Sequence, residues 1–238
     1  MGSVAATPEV SRIRRLTDGE FERMFKSGTF MGEESTHLMY KCILDGKQVA
    51  VFVVVAEEEE LNYFRNKVKT LQNAKHKKIV GPIAYCDGKT PCVVLNLFKE
   101  GTLKDFLLRM RATGKDLDIQ QKVRCSRDLA DALYFLHRDH KGLLSWHRDL
   151  RPENIFMDND GGCQLANFSI SSMLRGPAEQ QYRSGPYVVP ELNGRGRELA
   201  APATDKSDIY SFGMVLLKLF TNKTALARAE PAAMKEVP

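Results

Sequence analysis

The run Trp146-His147-Arg148-Asp149-Leu150-Arg151-Pro152-Glu153-Asn154 decides how the rest of the chain is read. A His-Arg-Asp tripeptide alone is weak evidence, since three such residues commonly sit on a solvated loop. The whole run, closing on Pro-Glu-Asn, is far more specific. On its C-terminal side, residues 155–158 form a short expected strand, Asn159-Asp160-Gly161-Gly162 a turn, and residues 163–166 a second strand. Asp158-Asn159-Asp160-Gly161 faintly resembles a calcium loop, but no Glu closes it and the turn reading prevails. On its N-terminal side, residues 119–137 read as a long amphipathic helix with Val123, Leu129, Ala130, Leu133 and Leu136 inward.

Further out, the two halves differ in character. Phe21 to Val55 is strand-like, interrupted at Ser27-Gly28 and at Asp45-Gly46, the latter predicting a tight hairpin between residues 37–44 and 47–55. The acids Glu57 to Glu60 suit the positive first turn of a helix, which continues with Leu61, Phe64, Val68 and Leu71 on one face. Residues 79–86 and 92–98 are two more expected strands around Asp87-Gly88. Glu100-Gly101-Thr102 reads as a hinge-like turn, and from residue 103 the chain turns helical. Residues 169–188 read as a mobile loop, Ser207-Asp208 as the cap of a last apolar helix over 208–220, and 225–238 as a solvated tail. The division expected is a flexible leader over 1–19, a small lobe over 20–98, a second over 99–222, and a tail over 223–238.

Composition narrows the classes. The 238 residues suffice for one large or two small domains; 43% hydrophobic and 27% charged content is ordinary for a soluble protein. A net charge of +5 with scattered basic residues does not imply nucleic acid. Cys42, Cys86, Cys92, Cys125 and Cys163 are odd in number and lack C-x-x-C spacing, which argues against a disulfide frame or zinc site and for a cytoplasmic, reducing compartment. The apolar run at residues 49–56 is far too short to span a bilayer. Met1 to Thr7 comes near an N-myristoylation pattern, but Ala6 stands where Ser or Thr is wanted.

The chain resembles protein kinases over roughly residues 20 to 222, with features of the tyrosine-kinase-like families. Residues 146–154 are similar to the catalytic loop. Val49-Ala50-Val51 resembles the strand that carries the nucleotide lysine, and Leu95-Asn96-Leu97-Phe98 the hinge that meets adenine, with Leu95 as gatekeeper. Asn167-Phe168-Ser169 stands in the Asp-Phe-Gly slot, Val189-Pro190-Glu191 in the Ala-Pro-Glu slot, and residues 205–213 look like the helix that follows. The resemblance implies an α+β, bilobal protein-kinase fold: a five-stranded N-lobe and a helical C-lobe truncated after the helix at 208–220. It implies Asp149 as the base that takes the proton of an attacking hydroxyl, Arg151 beside it where a lysine often stands, and Asn154 as a metal ligand. Ala50, Met39 and Phe156 fall where adenine would be sandwiched.

The departures from the family pattern set the functional expectation. Phe52 holds the position of the lysine that pairs the phosphates, and Lys67 that of the helix Glu which holds this lysine. Gly32 is the first glycine of the phosphate loop, but Glu34 and His37 replace the second and third, with Glu33 between. Each like-charge pair between a carboxylate and a phosphate at about 4 Å costs on the order of 1–4 kcal/mol. Asn167 replaces the metal-binding Asp and brings no negative charge. Phosphoryl transfer is mostly positioning and charge stabilisation, so these losses point to a pseudokinase that acts as scaffold or allosteric partner in signalling. Its partner is then another protein, an active kinase being one candidate, and no cofactor is expected. The alternative is an ATP- and magnesium-dependent Ser/Thr or Tyr kinase of weak or atypical activity, with Lys67 and Asn167 in unusual roles. Leu71, His147 and Phe168 are placed to form the family's regulatory spine. Arg148 is placed to pair with a phosphate on the mobile loop, where Ser171, Ser172, Tyr182, Ser184 and Tyr187 are candidate acceptors. Glu191 has no evident partner, and the underside of the last helix is expected to be exposed, to be covered by a partner or left open in a truncated product.

Overall fold

The computed structural model describes residues 13–34, 37–70, 76–139, 146–166, 185–190 and 204–221. The chain divides into two compact units, one of residues 1–75 and 81–97, the other of residues 76–80 and 98–238.

The first unit is built on a sheet ordered β1-β6-β7-β4-β3-β2. Its strands are β1 (Arg14–Arg15), β2 (Thr29–Glu34), β3 (His37–Leu44), β4 (Lys47–Val54), β6 (Ala84–Cys86) and β7 (Cys92–Asn96). The β3–β4 hairpin turns at Asp45 and Gly46, whose φ of 48° and 76° give the two left-handed residues that a two-residue turn demands. Val49, Val51, Cys42, Cys92 and Val94 project to one face and bury a core with Leu16, Phe21 and Met24. The sheet therefore has six strands, one more than expected: Arg14–Arg15 lies in parallel against Ala84 and Tyr85, inside the stretch expected to be leader.

The segment after β1 also differs. Strand-like pattern was expected from Phe21, but Asp18–Phe25 is a helix, α1. Thr17 and Glu20 form a reciprocal capping box, and Phe21 and Met24 turn to the core one helical step apart. Glu20 also meets Arg14 at 2.6 Å. The Thr17 N–H that it accepts, and then Arg14, hold its carboxyl down to about 2. Helix α2 (Glu58–Thr70) begins with three acids in its first turn.

The second unit contains α3 (Leu103–Ala112), α4 (Ile119–Tyr134), α5 (Asp205–Thr221) and a three-stranded sheet ordered β5-β9-β8. Its strands are β5 (Ile79–Val80), β8 (Ile155–Met157) and β9 (Cys163–Ala166). The expected strand over 79–86 is thus two strands in different sheets. Gly81-Pro82 separates them, and Pro82 has no N–H to offer a ladder. Leu103, Leu129, Leu136, Leu150, Ile155 and Leu219 lie at the centre of one core.

Helix α4 corrects its expected inner face. Cys125, Asp128, Leu129, Ala132 and Leu133 are buried there, along with Lys122, while Val123 is 54% exposed and Ala130 is exposed too. The buried Asp128 is spoken for: it accepts from Lys78 at 2.9 Å and from the Cys163 N–H at 3.1 Å, and Asp158 lies 3.5 Å from the same ammonium. Burial works against the Lys78 charge, but the hydrogen bond and the charges of Asp128 and Asp158 outweigh it and raise its pKa. Asp158 also accepts from the N–H groups of Asp160 and Gly162, which closes the turn read from sequence. All five cysteines are free and buried, and burial pushes the Cys92 thiol up to about 12. Among the described residues no helix is long and apolar enough to cross a membrane.

Two outcomes follow. Asp128→Ala leaves Lys78 with Asp158 alone and the buried Cys163 N–H without its acceptor, and should destabilise the protein by roughly 1–3 kcal/mol, read as a lower urea midpoint at unchanged m-value. Glu20 has a lowered folded-state pKa, so its contribution is present above pH ~4.5 and is lost as pH falls toward 2. Amide exchange at Thr17 should accelerate in that window and not in a Glu20→Gln variant.

Candidate functional site

On the first unit, the strands bring the expected nucleotide residues to the sheet face opposite the core just described. Ala50 stands across from Lys41 and Leu95, and Phe52 across from Met39 and Val93. The Phe52 ring lies 5.3 Å from the ring of His37, which is buried. This face therefore carries a phenyl ring where the resemblance puts a lysine. His37, beside Phe52, and Lys41, opposite Ala50, share this face. Gly32 sits at the register shift between β2 and β3, next to Met39. Leu95 is buried and Leu97 half-buried. Lys67 lies in α2 near its C-terminal end.

On the second unit, the loop of residues 146–154 is held by a residue that sequence reasoning misassigned. Asp208 does not cap α5; it lies inside the helix and is 1% exposed. Its carboxylate accepts the backbone N–H groups of His147 at 2.7 Å and Arg148 at 2.8 Å, and meets His137 Nε2 at 2.9 Å. The signal for it was a lone carboxylate on the inward stripe of an otherwise apolar helix. The bond to its N–H secures Arg148 at φ 66°, a left-handed conformation unusual for a side-chain-bearing residue. The His147 ring is fixed at both nitrogens: Nδ1 accepts the Asp149 N–H at 3.3 Å, so Nε2 carries the proton and donates to the Ala166 carbonyl.

The carboxylate so presented is Asp149. Asn154 Nδ2 donates to its Oδ2 at 2.8 Å and to its backbone carbonyl at 2.7 Å, while Arg151 Nε stands 3.4 Å from Oδ1. Pro152–Asn154 forms a short 3-10 turn, with Leu150 and Pro152 buried on either side of Arg151. The three residues expected from the sequence, Asp149, Arg151 and Asn154, are thus brought together. Lys104 reaches Glu153 at 3.2 Å on the outer side. Phe156, on β8, packs its ring 5.0 Å from Phe98 and bridges to Thr102.

Other expected residues are placed differently or not described. Tyr187 is no exposed acceptor: its ring packs on the core, its carbonyl accepts from Ser211, and burial pushes its hydroxyl up to about 12, with Glu153 adding to the shift. Arg148 lies 5.8 Å over the Trp146 ring. Asn167, Phe168, Ser169, Leu71, Glu191, Ser171, Ser172, Tyr182 and Ser184 lie outside the described residues, as does the proposed spine beyond His147. Among the described residues no cluster of His, Cys, Asp and Glu is arranged to hold a metal ion.

Comparison with known proteins agrees with this geometry. Residues 11–236 match the family model described as protein tyrosine and serine/threonine kinase. The chain belongs to the protein kinase family. It is 28% identical over 216 residues to an LRR receptor-like serine/threonine-protein kinase of Oryza sativa subsp. japonica, covering 89% of this chain and 21% of the relative. An L-type lectin-domain containing receptor kinase of Arabidopsis thaliana is 27% identical over 233 residues, covering 95% and 31%. A U-box domain-containing protein of the same plant is 30% identical over 200 residues, covering 79% and 23%. The chain spans about a quarter of the length of the first curated relatives it matches.

Asp208→Ala should leave the N–H groups of His147 and Arg148 unsatisfied and cost roughly 2–4 kcal/mol, with Asp208→Asn in between because one acceptor survives. Thermal unfolding checks the magnitude. Amide exchange at His147 and Arg148, faster in the Ala variant than at distant helices, checks the cause.

Proposed function

We propose that this kinase domain does not transfer phosphate and acts in signalling through protein contacts, as a scaffold or allosteric partner. One observation carries the reading: the Phe52 ring beside His37, on the strand face where the family presents its lysine. A phenyl ring donates nothing to a phosphate, and its volume occupies space that the nucleotide would need. The replacement of the helix Glu by Lys67 agrees, since that Glu has no lysine left to hold. Glu33 and Glu34 in the phosphate loop repel a triphosphate, and Asn167 weakens magnesium binding. ATP and magnesium therefore fit this residue set poorly.

A second reading has its own support. The Asp149–Asn154 hydrogen bonds and the Arg151 contact keep the catalytic loop assembled. That geometry suits a kinase of weak or atypical activity, with Asp149 as base, Lys67 as the cation, and Asn154 and Asn167 toward a metal.

Thermal unfolding with ATP, with and without magnesium, separates the two. A ligand at 100 times its Kd stabilises by about 2.7 kcal/mol, a shift easily seen. No shift is expected for the natural sequence. The Phe52→Lys, Lys67→Glu double variant, which restores the ion pair, is expected to gain one. A magnesium-dependent shift in the natural sequence, together with phosphotransfer that Asp149→Asn abolishes, would reject the non-catalytic reading.

A further inference from the structure

Helix α4 carries an exposed apolar stripe that the described residues of its unit leave uncovered. Ile119 is 64% exposed, Val123 54% and Tyr134 59%, and the exposed Ala130 lies between the last two. At 100° per residue these four positions fall within about 60° of each other, with the buried Leu133 about 70° and Leu129 about 110° around the helix from their centre. Spacings of four, seven and four residues along a narrow stripe are those of a helix–helix seam rather than of a helix lying against solvent.

The flank of the seam is basic. Arg124 and Arg127 line a shallow depression of about 340 Å³ together with Ile119, Gln120 and Val123. Arg124 is tied to the Asp160 carbonyl at 2.6 Å, whereas Arg127 has no carboxylate partner among the described residues. Arg138, one turn beyond Tyr134, stacks 6.0 Å over that ring. Asp131 is the acid on this flank, and it is engaged by Lys77 at 3.4 Å and faces His76 at 3.8 Å. A second copy of the same helix would bring arginine against arginine, so the charge pattern selects against self-association and for an acidic occupant.

We propose that this face of α4 docks an amphipathic helix from a partner protein, with an apolar seam over Ile119, Val123, Ala130 and Tyr134 and acidic side chains against Arg127 and Arg138. The proposal rests on the non-catalytic reading in that it names the class of partner through which such a domain would act. The contact is a helix laid along a helix, with apolar residues giving affinity and the charged edge setting partner choice and direction.

The test uses two fluorescent helical peptides of roughly three heptads with leucine at the seam positions, one with glutamate and one with lysine at the flanks. Anisotropy against the full chain should show saturable binding of the glutamate peptide and at least about tenfold weaker binding of the lysine peptide. Val123→Glu should abolish binding, and Arg127→Glu should reverse the peptide preference. Both positions are exposed, so unchanged unfolding midpoints verify that the variants are folded. Equal binding of the two peptides, or indifference to Arg127→Glu, would overturn the proposal. So would a dimer in sedimentation that Val123→Glu dissociates, because the seam would then belong to a second copy. An ATP–magnesium shift rejects the non-catalytic reading but leaves the peptide preference unchanged, so the two failures are told apart.

Discussion

A buried carboxylate with three polar neighbours organises the second unit. Asp208 sits inside an apolar helix, where an uncompensated charge would be prohibitive. Two backbone N–H groups from the 146–154 loop and the His137 ring supply the compensation. The dependence runs both ways. The loop cannot leave without stranding a charge, and Asp208 cannot be replaced without freeing the loop. Downstream of that anchor, the His147 tautomer, the left-handed Arg148 and the Asp149–Asn154 pair all follow as local geometry. The presentation of Asp149 is therefore accounted for by the burial of Asp208, whatever the nucleotide face of the other unit carries. Loop assembly is a folding requirement of this unit and is not by itself a sign of catalysis.

How much of this was legible beforehand varied with how local the cause was. The Asp45-Gly46 turn, the acidic start of α2 and the strands β8 and β9 each rest on neighbouring residues and could be read directly. The catalytic-loop cluster of Asp149, Arg151 and Asn154 was legible as a group because a single short run supplies it. Helix α1 was missed because its decisive signal, Thr17 with Glu20, precedes the apolar residues that drew the eye to a strand. The strand expected over 79–86 ignored a Gly-Pro break, and nothing local says that the two halves pair with different sheets.

Asp208 and the face of α4 were unreadable for a different reason. An acid at a helix start is ordinarily a cap, and only tertiary structure shows this one turned inward. On α4 the apolar residues occupy two adjoining stripes, so a search for one periodic face mixes them. Val123 and Ala130 belong to the outer stripe, while the inner one spends two of its positions on Lys122 and Asp128. Periodicity reports that a face is apolar and is silent on whether the chain itself covers it.

The placement of β5 bears on how this protein can be dissected. The chain leaves the first unit after Lys75, supplies β5 and Lys78 to the second, returns at Gly81 and leaves again after Leu97. The units are consequently interlaced along the sequence, and no single cut separates them. A fragment beginning at Phe98 would lack the strand that borders β9, exposing that strand's hydrogen-bonding edge, and would leave Asp128 buried without its ammonium. A fragment ending at Leu97 would carry a hydrophobic strand with nothing to pair against. Expression of isolated halves should therefore yield insoluble material even if each unit is well packed in the intact chain.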